Sequence, residues 1–309
     1  MKIGIVGAGK VGLSLAGALS ERGQDVILLS EHYGGTLPFL RRRDARGFLE
    51  RCDGVIISVR DRDIGSTSEY LASAGADVKG KAFLHTAGAL DPSVLSPLKA
   101  KGSAVGVMHP IQSFPRPDPG LIAGIYMGIS GDDEAISLAG QVASTLGCKT
   151  IRVKDHALYH AACVMSAGFI GTLIKLAGRV ISEASDGDWR AVIPMAERTL
   201  KNIEEMGPER ALTGPQIRGD WETVSAHMRK LRAFDPGLAL LYNLLSAEMT
   251  EKEKGGLDPV LLSVLACPKC KGELEYRKED SALICHNCRL RFRIEDGIPI
   301  MLISEAESF

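Results

Sequence analysis

Two sets of residues in this 309-residue chain have the types and spacing that chemistry needs. Cys267-Pro268-Lys269-Cys270 and Cys285-His286-Asn287-Cys288 are CxxC pairs with 14 residues between them. Four thiolates at that spacing close a tetrahedral shell around zinc and leave no position for water, so the chemistry is structural, not hydrolytic. His286 lies inside the second pair, but four cysteines already fill the shell. The second set is Gly7-Ala8-Gly9-Lys10-Val11-Gly12, a G-x-G-x-x-G run directly after an apolar strand. Its first glycine permits a tight turn, its second lets a pyrophosphate reach the backbone, and its third lets helix pack on strand. The helix it opens offers free N–H groups and the positive end of its dipole to phosphate.

NAD binders usually place Asp or Glu at the end of the second strand, where it accepts the ribose hydroxyls; here Ser30 stands there, followed by Glu31. Ser30 leaves room for a 2′-phosphate, and Arg41, Arg42 and Arg43 could neutralise it. Against this, Glu31 suits NAD, and an arginine run is also an ordinary solvated helix face. NADP is the expected cofactor, with NAD as the alternative, and Val59 and His85 complete the expected cofactor contacts. His109 ends a strand just before Pro110, which puts an imidazole at the carboxyl edge where open α/β sheets bind ligands. It could polarise a carbonyl, give a proton to the alkoxide left by hydride delivery, or brace its loop; His85 carries the same readings. Of Tyr159 and His160, about 100° apart on a helix, His160 is the expected substrate contact. Arg218 offers a fork for a substrate carboxylate or an ion pair with Asp220, itself a fit N-cap for the helix that follows.

A scaffold must bring these groups together. Residues 2–7, 25–30, 54–59, 81–86, 104–109, 126–130 and 149–153 read as short apolar strands with helical patterns between several of them. That alternation predicts a mainly parallel sheet covered by helices. After Asp155 the pattern turns helical over 157–184, 188–206, 219–233 and 237–252, and EKEKGG at 251–256 reads as a linker. The expected class is α/β: a doubly wound Rossmann domain over 1–154, an all-α substrate and dimerisation domain over 155–250, and a zinc ribbon over 257–309. Hydrophobic content of 45% and charged content of 24% exclude disordered, collagenous and low-complexity classes. Lys and Arg number 37 against 38 Asp and Glu, without the basic excess that non-specific nucleic-acid binding needs. No uninterrupted apolar stretch approaches ~18 residues, and the opening segment lacks a signal-type apolar region, so a cytoplasmic protein without membrane contact is expected. Cys52, Cys148 and Cys163 have no spacing that suggests disulfides, which fits a reducing compartment.

Behind the glycine run come, in order, His85-Thr86-Ala87-Gly88, His109-Pro110-Ile111-Gln112-Ser113-Phe114, Tyr159-His160-Ala161-Ala162, and Leu212-Thr213-Gly214-Pro215 with Arg218-Gly219-Asp220. Over residues 1–250 this combination resembles the Rossmann-like proteins with a helical C-terminal domain of unassigned function. Those are relatives of pyrroline-carboxylate reductases, ketopantoate reductases and deazaflavin-dependent NADP oxidoreductases. The resemblance implies a nicotinamide at the C-terminal edge of the sheet, a helical domain that closes over it, and a homodimer made through that domain. Two positions depart from the pattern: relatives usually carry Asn where this chain has Gly168, and proline where Arg60 follows Val59. A missing carboxamide weakens substrate positioning.

The tail, with LLSVLACPKCKGELEY and Asp296-Gly297-Ile298-Pro299, resembles small zinc-ribbon proteins related to the activator subunit of tRNA and protein methyltransferases. That resemblance implies a protein partner. Two functions follow. One is NADPH-dependent reduction of a small, ketopantoate-like carbonyl or imine acid, with His109 or His160 as proton donor and Arg218 on the carboxylate. The other is a non-catalytic NADP(H)-binding scaffold whose ribbon binds and stabilises a partner such as a methyltransferase.

Overall fold

The computed structural model describes residues 1–250, 262, 265–277, 279–295 and 298–309. The linker expected at Glu251 to Gly256 and the expected start of the ribbon at Leu257 lie outside the described residues. The chain divides into two compact units, Met1–Thr172 and Leu173–Phe309.

The first unit is built on one eight-stranded sheet. Its strands are β1 (Lys2–Val6), β2 (Asp25–Leu29), β3 (Phe39–Leu40), β4 (Gly54–Ile57), β5 (Ala82–His85), β6 (Ala104–Pro110), β7 (Tyr126–Gly131) and β8 (Lys149–Arg152). They lie in the order β3-β2-β1-β4-β5-β6-β7-β8. Every neighbouring pair is parallel except β6 with β7. β1 and β4 are apolar along most of their length because both faces of the sheet are covered. On one face Ile3 and Ile5 pack with helices α1 (Lys10–Glu21) and α5 (Asp133–Thr145) through Leu15, Leu19, Leu138 and Val142. On the other, Val6 and Phe83 pack with α2 (Ala45–Arg51), α3 (Ile64–Ala72) and α4 (Ser96–Lys99) through Phe48, Leu49, Leu71 and Leu98. Each fully buried Leu or Phe contributes roughly 1.5–3 kcal/mol. This is the doubly wound arrangement that the strand–helix alternation predicts. The sequence pattern misses β3, which has two residues and so no period to read.

One helical run extends from His156 to Ala184: α6 (His156–Val164), a π-turn over Met165–Phe169, and α7 (Ile170–Ala184). Asp155 caps it by accepting from the Leu158 N–H at 2.9 Å. By length and composition the run is apolar enough to cross a membrane, and 6% of its most apolar window is buried. The sequence expectation of no such stretch counted uninterrupted apolar residues. Here Leu173, Leu176, Ala177, Val180 and Ile181 recur at helical spacing and form a stripe.

The second unit continues with α8 (Ile193–Met206), α9 (Pro208–Ala211), α10 (Pro215–Arg218), α11 (Trp221–Phe234) and α12 (Pro236–Met249). Asp220 and Asp235 cap α11 and α12 through the Thr223 and Leu238 N–H groups. A small antiparallel sheet follows, from β9 (Glu275–Arg277), β10 (Ala282–Cys285), β11 (Leu290–Glu295), β12 (Ile298–Pro299) and β13 (Glu307–Ser308). Leu283, Leu290, Phe292, Ile294 and two cysteines form its core.

Candidate functional site

The carboxyl ends of β1, β2, β4, β5 and β6 share one edge of the sheet, and a cleft of about 960 Å³ opens there. That is the crevice where open α/β sheets take ligands, and its size fits a small-molecule site. Gly7 holds φ +104°, and a Cβ there would overlap the Ser58 carbonyl oxygen; a Cβ on Gly12 would overlap the Gly7 carbonyl oxygen. Both close approaches need glycine. At Gly9 the nearest atom to a Cβ would be 4.0 Å away, so packing does not demand glycine there. The bare backbone instead faces the cleft that Gly9 lines. Gly9 is also the N-cap of α1 and has no side-chain cap, which leaves first-turn N–H groups for an anion.

Of the expected cofactor residues, Gly7, Gly9, Lys10, Val11, Ser30 and Val59 line the cleft, with Glu31 and Arg60 beside them. Ala8 lies in the turn and Gly12 is buried in the first turn of α1, and neither lines the cleft. The Ser30 N–H donates to the Leu40 carbonyl at 3.1 Å, so short β3 returns the chain to this edge and sets the Arg41 backbone beside Ser30. Arg42 is occupied: its guanidinium lies 4.8 Å from the Tyr70 ring centroid, and the Tyr70 hydroxyl donates to its carbonyl. Arg41 and Arg43 are exposed and make no ion pair among the described residues. Arg60 has φ −63°, a backbone proline also adopts, so the departure at that position changes the side chain and not the loop.

His85 does not reach the cleft. It is fully buried; its Nε2–H donates to the Asp91 carbonyl at 3.2 Å, and its Nδ1 accepts from the Ala87 N–H at 3.3 Å. It therefore shapes the loop that carries Thr86 and Gly88 to the cleft wall. His109 and His160 both line the cleft, their ring centroids 5.9 Å apart. Gly88 makes room for them, because a Cβ there would stand 2.9 Å from each ring. Two further groups stand here: Tyr159, which the sequence ranks behind His160, and His156, which the sequence reading misses. Tyr159 places its hydroxyl 2.7 Å from His109 Nδ1. His156 donates from Nδ1 to the Gly88 carbonyl at 3.1 Å and accepts on Nε2 from the Ser130 hydroxyl at 2.9 Å. No local sequence signal marks His156. Gly168 sits in the π-turn, and a Cβ there meets only Val164 at 3.8 Å, so packing does not exclude the missing carboxamide.

Burial, chiefly, holds His85 and His109 down to about 4, with neighbouring imidazoles adding to it. Both folded values lie below the unfolded ~6.5, so between these limits the unfolded chain binds more protons. Their stabilising contribution is complete above about pH 6.5 and is lost as pH falls toward 4, on the order of 2 kcal/mol per histidine at pH 5. Hydrogen exchange of the β1 and β4 amides is expected to show protection falling steeply from pH 6.5 to 5 after correction for intrinsic rates. A flat profile would contradict neutral burial of the pair.

In the second unit the four cysteines come together, with Cys267 and Cys285 buried, Cys270 and Cys288 half-buried, and all sulfurs within 4.8 Å of one another. The Cys270 and Cys285 sulfurs are 3.6 Å apart, near the ~3.8 Å edge of a tetrahedron with 2.3 Å Zn–S bonds. Lys271 (φ 58°) and Arg289 (φ 53°), each directly after a CxxC pair, are left-handed and close the two knuckles alike. His286 turns away to Glu275 and Phe309. The donor set and its geometry fit a structural zinc ion.

Arg218 ends α10 and makes no ion pair among the described residues, while Asp220 serves as a cap. Beside it Gln216, 7% exposed, donates from Nε2 to Tyr242 and Ser246, each at 2.9 Å. That network pins α10 to α12.

Comparison with known proteins divides the chain in three. Residues 1–110 match the Rossmann-like domain, residues 125–249 a domain of unknown function (DUF2520), and residues 258–297 the Trm112p-like protein family. A UPF0434 protein of Methylobacillus flagellatus is 54% identical over 50 residues, which are 16% of this chain and 83% of that protein. A Bacteroides fragilis protein described as an NADP oxidoreductase superposes with TM-score 0.65 and 23% identity, over 81% of this chain and 98% of its own. The reductive aminase of Aspergillus terreus, solved with NADPH and ethyl-5-oxohexanoate, superposes with TM-score 0.60 and 14% identity, over 84% and 96%. At these identities the structural likeness is one of fold.

Proposed function

We propose that this chain is an NADPH-dependent reductase of a small, ketopantoate-like carbonyl or imine acid. The observation that carries the reading is the cleft, whose glycine-shaped floor, uncapped helix N-terminus and imidazole wall lie along one sheet edge. The N–H groups at the start of α1, with Lys10, would hold the pyrophosphate, and Ser30 with Arg41 and Arg43 the 2′-phosphate. Bound nicotinamide supplies the hydride. His109 polarises the acceptor and governs its proton, His160 contacts the substrate, and Arg218 takes a carboxylate. The Bacteroides fragilis protein is described as an NADP oxidoreductase and the Aspergillus terreus enzyme was solved with NADPH, which supports NADP over NAD.

The working division is 1–154 for cofactor, 155–250 for substrate and dimerisation, and 257–309 for a zinc ribbon. A homodimer would cover the apolar groove of about 670 Å³ that Leu173, Val180, Ile181, Leu241 and Leu245 line. Zinc on Cys267, Cys270, Cys285 and Cys288 holds the ribbon. Its exposed Ile298, Leu302, Ile303 and Phe309 give it a surface for a protein partner such as a methyltransferase, which is what favours a scaffold as the second reading. None of the seven cysteines is in a disulfide, as suits a cytoplasmic setting.

The test is NADPH consumption by the purified full chain with a panel of 2-oxo acids and cyclic imino acids. Turnover is expected with at least one of them, and His109→Ala should lower kcat roughly 100-fold. Tight nicotinamide binding with no turnover on any, alongside a co-purifying methyltransferase, would favour the scaffold.

A further inference from the structure

His109 has two ring nitrogens in unlike surroundings. Nδ1 meets the Tyr159 hydroxyl at 2.7 Å, with the rings edge-to-face at 5.5 Å and 88°. Nε2 has no partner among the described residues. It is not sealed in either, because the only buried side-chain oxygen or nitrogen left without a partner there is Ser68 Oγ. His109 lines the cleft, so Nε2 is the atom available to whatever enters.

Two glycines make this arrangement possible. The β6–β7 register sets Gly128 opposite His109, and a Cβ on Gly128 would overlap the Tyr159 hydroxyl. Tyr159 on α6 thus reaches His109 across a strand only because that strand carries no side chain there. On the other side a Cβ at Gly88 would stand 2.9 Å from His109 Cε1 and 3.0 Å from Cδ2, so the ring lies flat against bare backbone. With both sides packed and one nitrogen tied, the imidazole has little freedom to turn.

We propose that Tyr159 is the positioning residue for His109: its hydroxyl donates to Nδ1, which leaves the ring proton on Nε2 and presents a neutral N–H donor to a carbonyl or imine in the cleft. The occupant rests on the reductase reading; the tautomer rests on the geometry. The titratable groups around the pair are His160 and His156 on α6, His85 at the end of β5, and Cys163 one turn beyond Tyr159. Burial first and these imidazoles second disfavour an imidazolium at 109, while burial and Cys163 push the Tyr159 phenol above its ordinary range. At neutral pH the pair is therefore an imidazole and a phenol that share one short hydrogen bond. A neutral N–H donor suits the oxygen of a carbonyl or the lone pair of an imine, and it makes no ion pair with a carboxylate. The device thus selects the reacting group and leaves any substrate carboxylate to be bound elsewhere. The opposite arrangement has Tyr159 donating to Cys163 and His109 donating from Nδ1 to the phenol oxygen, with a bare Nε2 facing the cleft.

The test is long-range nitrogen–proton correlation NMR on the full chain labelled at its histidine rings, with His109→Gln used to assign the signals. At neutral pH wild type is expected to show His109 protonated at Nε2 and unprotonated at Nδ1. In Tyr159→Phe the Nε2–H to Nδ1–H ratio should fall roughly five- to tenfold, the equivalent of the ~1 kcal/mol of one hydrogen bond, while NADPH affinity stays at the wild-type value. Protonated Nδ1 in wild type, or a ratio unchanged in the variant, would overturn the proposal. If the tautomer is as expected but neither NADPH nor NADH binds, the reductase reading fails and the positioning role stands. Where turnover is found, Tyr159→Phe should lower kcat and leave KM nearly unchanged; a rise in KM alone would overturn the role in presenting the donor.

Discussion

Cys285→Ser, or stripping of bound metal by a chelator, is expected to unfold the C-terminal ribbon and leave the first unit folded. The ribbon core holds Leu283, Leu290, Phe292 and Ile294 beside the cysteines, too little apolar surface to hold a domain of this size together alone. Metal binding would supply the rest, on the order of 10 kcal/mol at neutral pH. Cys285 ends β10 and is fully buried, and its sulfur also accepts the Cys288 N–H at 3.4 Å. Its loss therefore removes a ligand and a knuckle contact together. Hydrogen exchange read by mass spectrometry should show protection lost across residues 282–295 in the variant, with β1, β4 and β5 unchanged. Protection retained in metal-free protein would show that the four thiols are only neighbours.

The second large effect is expected at Gly7. Replacement by alanine should lower nicotinamide affinity roughly 100-fold and destabilise the first unit by about 3 kcal/mol, the scale of a strained left-handed residue with a backbone clash. Gly7 is held from both sides: its N–H donates to Leu29 on β2 at 3.0 Å, and Ser58, whose carbonyl a Cβ would meet, donates its N–H to Val6 on β1 at 2.8 Å. The added methyl can be accommodated only by parting β1 from β4 or by moving the turn. Moving the turn shifts α1, since Gly12 packs on the Gly7 carbonyl, and α1 carries the N–H groups proposed for the phosphates. Gly9→Ala is the informative contrast. Its Cβ has open space, so it should leave stability nearly unchanged and weaken binding alone.

What could be read from sequence was local chemistry. The glycine turn, the CxxC pairs and the strand–helix alternation depend on neighbours a few residues apart, and the structure places them as that spacing implies. The His109–Tyr159 pair spans 50 positions and depends on a third residue, Gly128, that contributes no side chain. No motif carries that information. His85 shows the limit of reasoning from strand ends. It looks equivalent to His109 in the sequence, yet its ring is fully buried and Thr86 takes the cleft position. The β6–β7 pair turned antiparallel without any signal in either strand, because a strand's own pattern states which faces are buried and not which way its neighbour runs.

The cleft at the sheet's carboxyl edge is proposed to bind NADP(H) in preference to NAD(H). Titration of wild type, Gly7→Ala and Gly9→Ala with NADPH and with NADH, followed by nicotinamide fluorescence, checks this binding. Wild type is expected to bind NADPH at micromolar concentration and NADH at least tenfold more weakly, and Gly7→Ala to bind both roughly 100-fold more weakly; the NADPH preference corresponds to the ~1.4 kcal/mol of one added phosphate contact. Wild-type protein that binds neither nucleotide would overturn the assignment of the cleft.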